Sequence, residues 1–192
     1  MLTNQGYRAV SPIRIDWLNQ FDFENALQQS RQVSKPVLLD FHDPACVGCQ
    51  LLERVTYSDP IVMSAIAEQV IPLRVITTEP DSASRPIIAR YISISSPTIQ
   101  LLSPEGTVYH CWRGAPRHTR PARGYRGVFC EATGHLSPSL FLAQLLVGRG
   151  KMALKQECYE EAVQLFTEVL TEYRADNEAT KEALYWCTMM SS

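Results

Sequence analysis

Cys46-Val47-Gly48-Cys49 constrains this chain more than any other stretch, because of what lies on either side of it. Upstream, Pro36-Val37-Leu38-Leu39-Asp40-Phe41 is apolar except for one acid and reads as a short buried strand. Downstream, Gln50-Leu51-Leu52-Glu53-Arg54-Val55 has helical character. A strand, a short loop and a helix that opens at the first cysteine form the setting in which C-x-x-C implies redox chemistry. The physical reason lies at the helix N-terminus, where unpaired backbone N–H groups and the helix dipole favour an anion. A thiol placed there gives up its proton more readily, and the thiolate is the species that attacks disulfides.

Composition sets the outer bounds. At 192 residues and 45% hydrophobic content the chain has room for one ordinary domain with its own core, plus an appendage. A net charge of −2 gives no global drive toward nucleic acid or an anionic membrane surface. No apolar stretch approaches the length of a membrane span, and the first residues, Met1 to Tyr7, have neither the basic start nor the apolar run of a signal peptide. The expectation is a cytoplasmic protein, or a periplasmic one if the sequence has been trimmed. Six cysteines, at 46, 49, 111, 130, 158 and 187, are few for a disulfide scaffold of this size. Cys158 and Cys187 fall in helical patterns and are expected as small buried hydrophobes.

Along the chain, residues 1–14 read as a loosely held lead-in. Phe21 to Gln32 reads as a helix with Phe23, Ala26 and Leu27 inward, followed by a strand over 37–41 and the helix from Cys46. Ser58-Asp59-Pro60 ends that helix and caps another, with Ile61, Ala65, Ile66 and Val70 on its buried side. Ile71 to Thr77 is a second core strand, and Pro86 to Tyr91 a short helix. Thr98–Leu102 and Thr107–Trp112 pair as an antiparallel hairpin about Pro104-Glu105-Gly106. Alternating helices and strands closed by a hairpin indicate an α/β sandwich. The segment 114–136 reads as a long basic loop carrying Arg117, Arg120, Arg123 and Arg126. It is either a solvated loop or a basic lip that selects an acidic partner; single-stranded nucleic acid is disfavoured, since only Tyr125 and Phe129 interleave the charges.

Four places in the sequence resemble the thioredoxin-like proteins: Asp40 six residues before Cys46, the Cys46/Cys49 pair itself, Ser96-Pro97-Thr98 ahead of the apolar run Ile99–Leu102, and Trp112-Arg113-Gly114 after Gly106–His110. The stretch from Ile15-Asp16-Trp17 to Lys35-Pro36 is also similar to the N-terminal helix of bacterial disulfide-reducing domains. The resemblance covers roughly residues 13–148, with Ala45 where a tryptophan usually stands and Val47-Gly48 in place of Gly-Pro. It implies a thioredoxin fold, with a central mixed sheet flanked by helices. It further implies that Cys46 attacks, that Cys49 resolves, and that Asp40 accepts or relays a proton. Val47, Gly48, Ser96, Pro97 and Thr98 would line the substrate groove, with Pro97 in cis facing the dithiol.

The activity so implied is thiol–disulfide oxidoreduction on protein disulfides, recharged by a thiol electron donor, with no cofactor. Asp40, inside an apolar strand, is expected to be buried with a raised pKa rather than ion-paired. Two other classes remain open. Cys46 and Cys49 with Cys111, Cys130 or a histidine could ligate zinc, although no second C-x-x-C exists. A disulfide between Cys111 and Cys130 would instead fit an oxidising compartment. Alternatively the chain is a non-catalytic binding or assembly module acting through its tail. Residues 149–192 follow a thioredoxin-like domain at 1–148, and Gly150, Ala153, Tyr159, Ala162, Phe166 and Val169 resemble a tetratricopeptide helix pair. Such a fragment cannot bury its own apolar face, so it should dock on the domain or on a protein partner, a second copy included.

Overall fold

The computed structural model describes residues 14–91, 96–114, 131–133, 137–174 and 178–190. Its centre is strand β1 (Val37–His42), in which every residue is buried. β1 pairs in parallel with β2 (Ile71–Ile76) and antiparallel with β3 (Thr98–Leu102). β3 turns at Gly106, where φ is +76°, into the antiparallel strand β4 (Val108–Gly114). A fifth strand, β5 (Glu131–Thr133), pairs in parallel with β4, and the sheet order is β2-β1-β3-β4-β5. The hairpin therefore does not close the sheet, and three residues of the segment read as a loop belong to it. The four loop arginines and Cys130 lie outside the described residues, as do residues 1–13.

The two-residue period of β1 divides the core into two layers. Val37, Leu39 and Phe41 face α1 (Phe23–Val33) and α4 (Ser84–Tyr91), meeting Phe23, Leu27, Ile87 and Tyr91. Leu38 points the other way, toward α3 (Pro60–Gln69) and α5 (Pro138–Lys155), where Ile66, Phe141 and Leu145 pack with Trp112. Asp40 alternates with the first set and so falls on the Leu38 face. On the Leu38 side the chain also carries α2 (Val47–Leu51), continued by a π-helical turn Leu52–Thr56, whose Leu52 joins that layer.

The caps form where expected. Asp59 accepts from Ile61 N and Val62 N at 2.9 and 3.1 Å, with Pro60 in the first turn of α3. The buried stripe of α3 is Val62, Ala65 and Ile66, at i, i+3 and i+4; Ile61 is one step out of phase and 67% exposed, contrary to expectation.

The C-terminal part departs furthest from the sequence reading. The helix expected at 139–146 continues to Lys155, so the division at residue 148 falls inside α5. α6 (Tyr159–Glu172) and α7 (Glu178–Met190) follow. α5 is buried nearly all round because the sheet covers one side while Ala162, Phe166 and Val169 of α6 and Ala179 and Ala183 of α7 cover the other. Trp186 stacks on Phe166 with centroids 6.5 Å apart. The tetratricopeptide resemblance is not confirmed: α5 belongs as much to the sheet as to the helices after it. Docking on the domain, rather than a free-standing pair, is what the helices do. Cys158, expected to be buried, is exposed at the N-cap of α6, while Cys187 is partly covered.

α7 is tied to the sheet by a buried polar cluster. His110 of β4 pairs through Nε2 with Gln144 Oε1, Lys151 Nζ lies 3.4 Å from its Nδ1, and Lys151 also reaches Glu182 Oε1 at 2.6 Å. Burial first, and then the Lys151 charge, pushes the His110 imidazole down to about 4, so the ring is neutral.

Close packing of α5 on the sheet requires glycine at 148. A Cβ there would stand 2.2 Å from Leu101 Cδ1 and 3.1 Å from His110 Cβ, both buried. Alanine should gain about 1 kcal/mol of helix propensity yet lose about 1–3 kcal/mol to overpacking. Urea melts of Gly148→Ala should show a lower midpoint than the wild type; an equal or higher midpoint would mean that α5 can draw back from the sheet at no cost.

Candidate active site

Cys46 and Cys49 occupy unlike environments. Cys46 is the N-cap of α2, with extended backbone (φ −77°, ψ 123°), and its half-exposed thiol donates to the carbonyl of Ser96 at 3.2 Å. Cys49, one turn further on, is completely buried. Both are free thiols. The Asp43 N–H donates to Cys49 Sγ at 3.4 Å. Burial nevertheless pushes the Cys49 thiol up to about 12, and the neighbouring Cys46 and Asp40 charges push the same way.

The Ser96–Pro97 peptide bond is cis and lies against the dithiol, as expected. Gly48 faces it: a Cβ at that position would be 3.0 Å from Pro97 Cδ and 3.7 Å from Cys46 Sγ. Val47 is 76% exposed beside it. Thr98 opens β3 fully buried and Pro97 is buried as well, so of the five expected groove residues only Val47, Gly48 and Ser96 keep exposed surface. Residues 92–95, which lead into this loop, lie outside the described residues.

Asp40 is fully buried, and burial pushes its carboxyl above the ordinary range, as expected. The expectation that it lacks an ion pair is overturned. Arg74 stands opposite it in the β1–β2 register and donates from Nε to Asp40 Oδ2 at 3.0 Å. His42 Nδ1 is 3.8 Å from the same oxygen. Arg74 also pairs through Nη2 with Glu53 Oε1 of the π-helical turn, and its guanidinium lies over the Trp17 ring at 4.1 Å. Tyr57 completes the pocket, its hydroxyl held well above its usual pKa by burial and then by Asp40. Oδ1 of Asp40 has no hydrogen-bond partner among the described residues.

Sequence reading missed Arg74, Glu53 and the two threonines beyond β2. Thr77 N and Thr77 Oγ1 both donate to the carbonyl of His42, at 2.9 and 3.2 Å, and Thr77 Oγ1 lies 3.0 Å from Ser96 Oγ. Thr78 Oγ1 donates to Asp43 Oδ1 at 2.7 Å; this bond first, and then the one from Ala45 N, holds the Asp43 carboxyl below its usual range. The strand register that aims these groups cannot be read from composition. Cys111, buried in β4, is disulfide-bonded. Among the described residues no cluster of His, Cys, Asp and Glu has the arrangement of a metal site.

Residues 16–104 match a family model described as thioredoxin-like. The chain is similar to thiol:disulfide interchange protein DsbD 1 of Pseudomonas aeruginosa, 36% identical over 81 residues, covering 42% of this chain and 14% of that protein. It is 33% identical over 92 residues to thiol:disulfide interchange protein DsbD of Escherichia coli, covering 48% and 15%. The match thus spans only about one-seventh of these relatives. Among solved structures, a DsbH oxidoreductase aligns over 58% of this chain and 81% of its own, at 17% identity and a TM-score of 0.47. The order of strands and helices, the dithiol at the start of α2 and the family match agree: the chain carries a thioredoxin-like domain over residues 16–104, with three helices at its C-terminal side.

Proposed function

We propose that the protein is a thiol–disulfide oxidoreductase acting on protein disulfides through Cys46 and Cys49. The observation that carries this reading is the asymmetry of the pair, a half-exposed Cys46 sulfur at the start of α2 backed by a completely buried Cys49. Similarity to disulfide-interchange proteins supports it. The Cys46 thiolate attacks a substrate disulfide and expels one substrate thiolate, leaving a mixed disulfide. Cys49 then loses its proton and attacks Cys46 Sγ, releasing the second substrate thiol and leaving a Cys46–Cys49 disulfide. A thiol donor returns both sulfurs to the reduced state.

Cys49 needs a base, because burial holds its proton tightly. Asp40 suits that role: its carboxyl is buried, its affinity for a proton is raised, and Oδ1 is uncommitted among the described residues. Val47, Gly48 and Ser96, with buried Pro97 behind them, form the rim on which an extended substrate backbone would lie. The disulfide at Cys111 supports a compartment oxidising enough to retain it, such as the periplasm, over the cytoplasm. Among the described residues no helix is long and apolar enough to cross a membrane.

A second reading, a binding module working through the tail, is supported by Tyr159, Val163, Leu184, Tyr185 and Met189, all exposed on α6 and α7. An insulin-reduction assay separates the two, since an inert dithiol leaves only the tail.

With Cys49→Ser, a mixed disulfide to substrate should accumulate at Cys46, and Cys46→Ser should abolish turnover. Peptide mapping that places the trapped adduct on Cys49 would reverse the two roles.

Asp40→Asn should slow resolution by about a hundredfold, the usual contribution of a positioned base. Its effect on stability depends on pH. A folded pKa above the unfolded one means that the carboxyl contributes stability below about pH 4, and that this is lost as pH rises through the folded value. An amide has no such dependence. The melting temperature of Asp40→Asn should therefore gain on the wild type as pH rises from 4 to 8; a gap that stays constant or narrows would contradict a raised Asp40 pKa.

A further inference from the structure

Two sulfurs in different settings have to be kept in register with each other, and one side chain outside the C-x-x-C motif touches the supports of both. The peptide unit between His42 and Asp43 presents its N–H to Cys49 Sγ at 3.4 Å. The carbonyl of that same unit accepts two bonds from Thr77, one from its backbone N at 2.9 Å and one from Oγ1 at 3.2 Å. Because a peptide is planar, fixing the carbonyl also fixes the direction of the N–H. The Asp43 side chain secures the other side of the unit, accepting from Ala45 N and from Thr78 Oγ1. Thr77 Oγ1 lies 3.0 Å from Ser96 Oγ, and the carbonyl of Ser96 takes the Cys46 thiol.

A hydroxyl has one proton, so the arrangement has a direction. With Thr77 donating to His42 O, Ser96 donates to Thr77, and a chain of bonds runs Ser96 to Thr77 to the His42–Asp43 peptide to Cys49. Each donor polarises the next. Donation to the peptide carbonyl therefore makes its N–H a stronger donor at the moment the Cys49 sulfur becomes negative. The other charged or titratable groups acting on Cys49 are Cys46 on α2 and Asp40 on β1, with Tyr57, Glu53 and Arg74 grouped around Asp40. None of them bonds to Thr77.

We propose that Thr77 is a positioning residue of the dithiol, its hydroxyl aiming and polarising the Asp43 amide so that this amide stabilises the Cys49 thiolate during resolution. The inference rests on the dithiol reading above, and it goes beyond it by assigning a role to a side chain that touches neither sulfur.

The test uses 5,5′-dithiobis(2-nitrobenzoate) in the full chain with Cys158→Ser and Cys187→Ser, which remove the two other free thiols among the described residues. Cys46 thiolate attacks the reagent and releases one thionitrobenzoate anion, leaving a Cys46 mixed disulfide. Cys49 then passes its proton by way of Asp40 to solvent, attacks Cys46 Sγ and releases the second anion, forming Cys46–Cys49. The two releases are read separately by stopped flow across pH. Thr77→Val keeps the shape and removes the hydroxyl; it should slow the second release about tenfold, as loss of support for a charged hydrogen bond implies, and move its pH midpoint upward. The first release should change no more than about twofold, because Cys46 keeps its Ser96 carbonyl. Thr77→Ser should restore the second release, and the Asp43 amide proton resonance should shift in the valine variant only. An unchanged second release in Thr77→Val, or an equal slowing in Thr77→Ser, overturns the role of the hydroxyl. Absence of any second release in the parent protein overturns the dithiol reading itself.

Discussion

Asp40 and Arg74 face each other on adjacent parallel strands, and most of what surrounds the dithiol is arranged around that pair. A lone carboxylate in the middle of β1 would be costly to bury, and breaking such a pair from one side typically costs about 3–5 kcal/mol. The guanidinium is held in place by more than its charge. It lies over Trp17, stands 5.6 Å from the centre of the Tyr57 ring and reaches Glu53, so with β1 three segments of the chain converge on one planar cation. Burial opposes the charge on Arg74, but Asp40 and then Glu53 outweigh it. The pair is compensated without being neutral in effect, since Asp40 still holds a proton more tightly than an exposed aspartate. In the proposed reaction, that imbalance is what suits Asp40 to take a proton from the buried Cys49 thiol.

The electrostatics of the two cysteines follow from one turn of helix. At the N-cap the chain is still extended, so Cys46 Sγ points out to the Ser96 carbonyl and the rim. Three residues later the helix has turned Cys49 under α2, into the layer that contains Asp40 and Tyr57. Water cannot stabilise a thiolate there, and the surrounding charges are negative or compensated. The sulfurs of Cys46 and Cys49 thus differ through position alone, and Gly48 lets Pro97 come within contact distance of the helix start.

How much of this was legible in the sequence depended on range. The strand before Cys46, the cap at Asp59 and the turn at Gly106 are local, and each rests on residue types with one strong conformational preference. The approach of Pro97 to the dithiol, some 50 positions away, was legible only through the family resemblance. Asp40 was legible as a buried acid, but its partner was not, because Arg74 lies 34 positions away and becomes a neighbour only through the β1–β2 register. The same applies to Thr77, which reads as the end of an apolar strand until that register sets it beside His42. Ile61 and Cys158 show the limits of helical periodicity near a helix start, where one residue of phase separates the core from solvent. β5 has only three residues, too few to leave a pattern.

Helix α5 explains why the tail reads as a separate unit and does not behave as one. Its first half carries Phe141, Leu142 and Leu145 into the core under the sheet, while Ala143, Leu146 and Val147 from the same turns build the core shared with α6 and α7. A helix apolar on every side must be covered on every side, and here the two covers are the sheet and the tail. The apolar contacts between α5 and α7 would tolerate sliding, since small side chains such as Ala179 and Ala183 offer little to lock against. The polar cluster does not. His110 and Gln144 are buried, and Lys151 joins their pair to Glu182 of α7. A shift of α7 by one turn would separate Glu182 from Lys151 and leave a partly buried ammonium beside a neutral imidazole, at a cost that follows from burying polar groups without partners. The register of the tail against the sheet is thus set by a few polar atoms, and its affinity by the apolar surface around them.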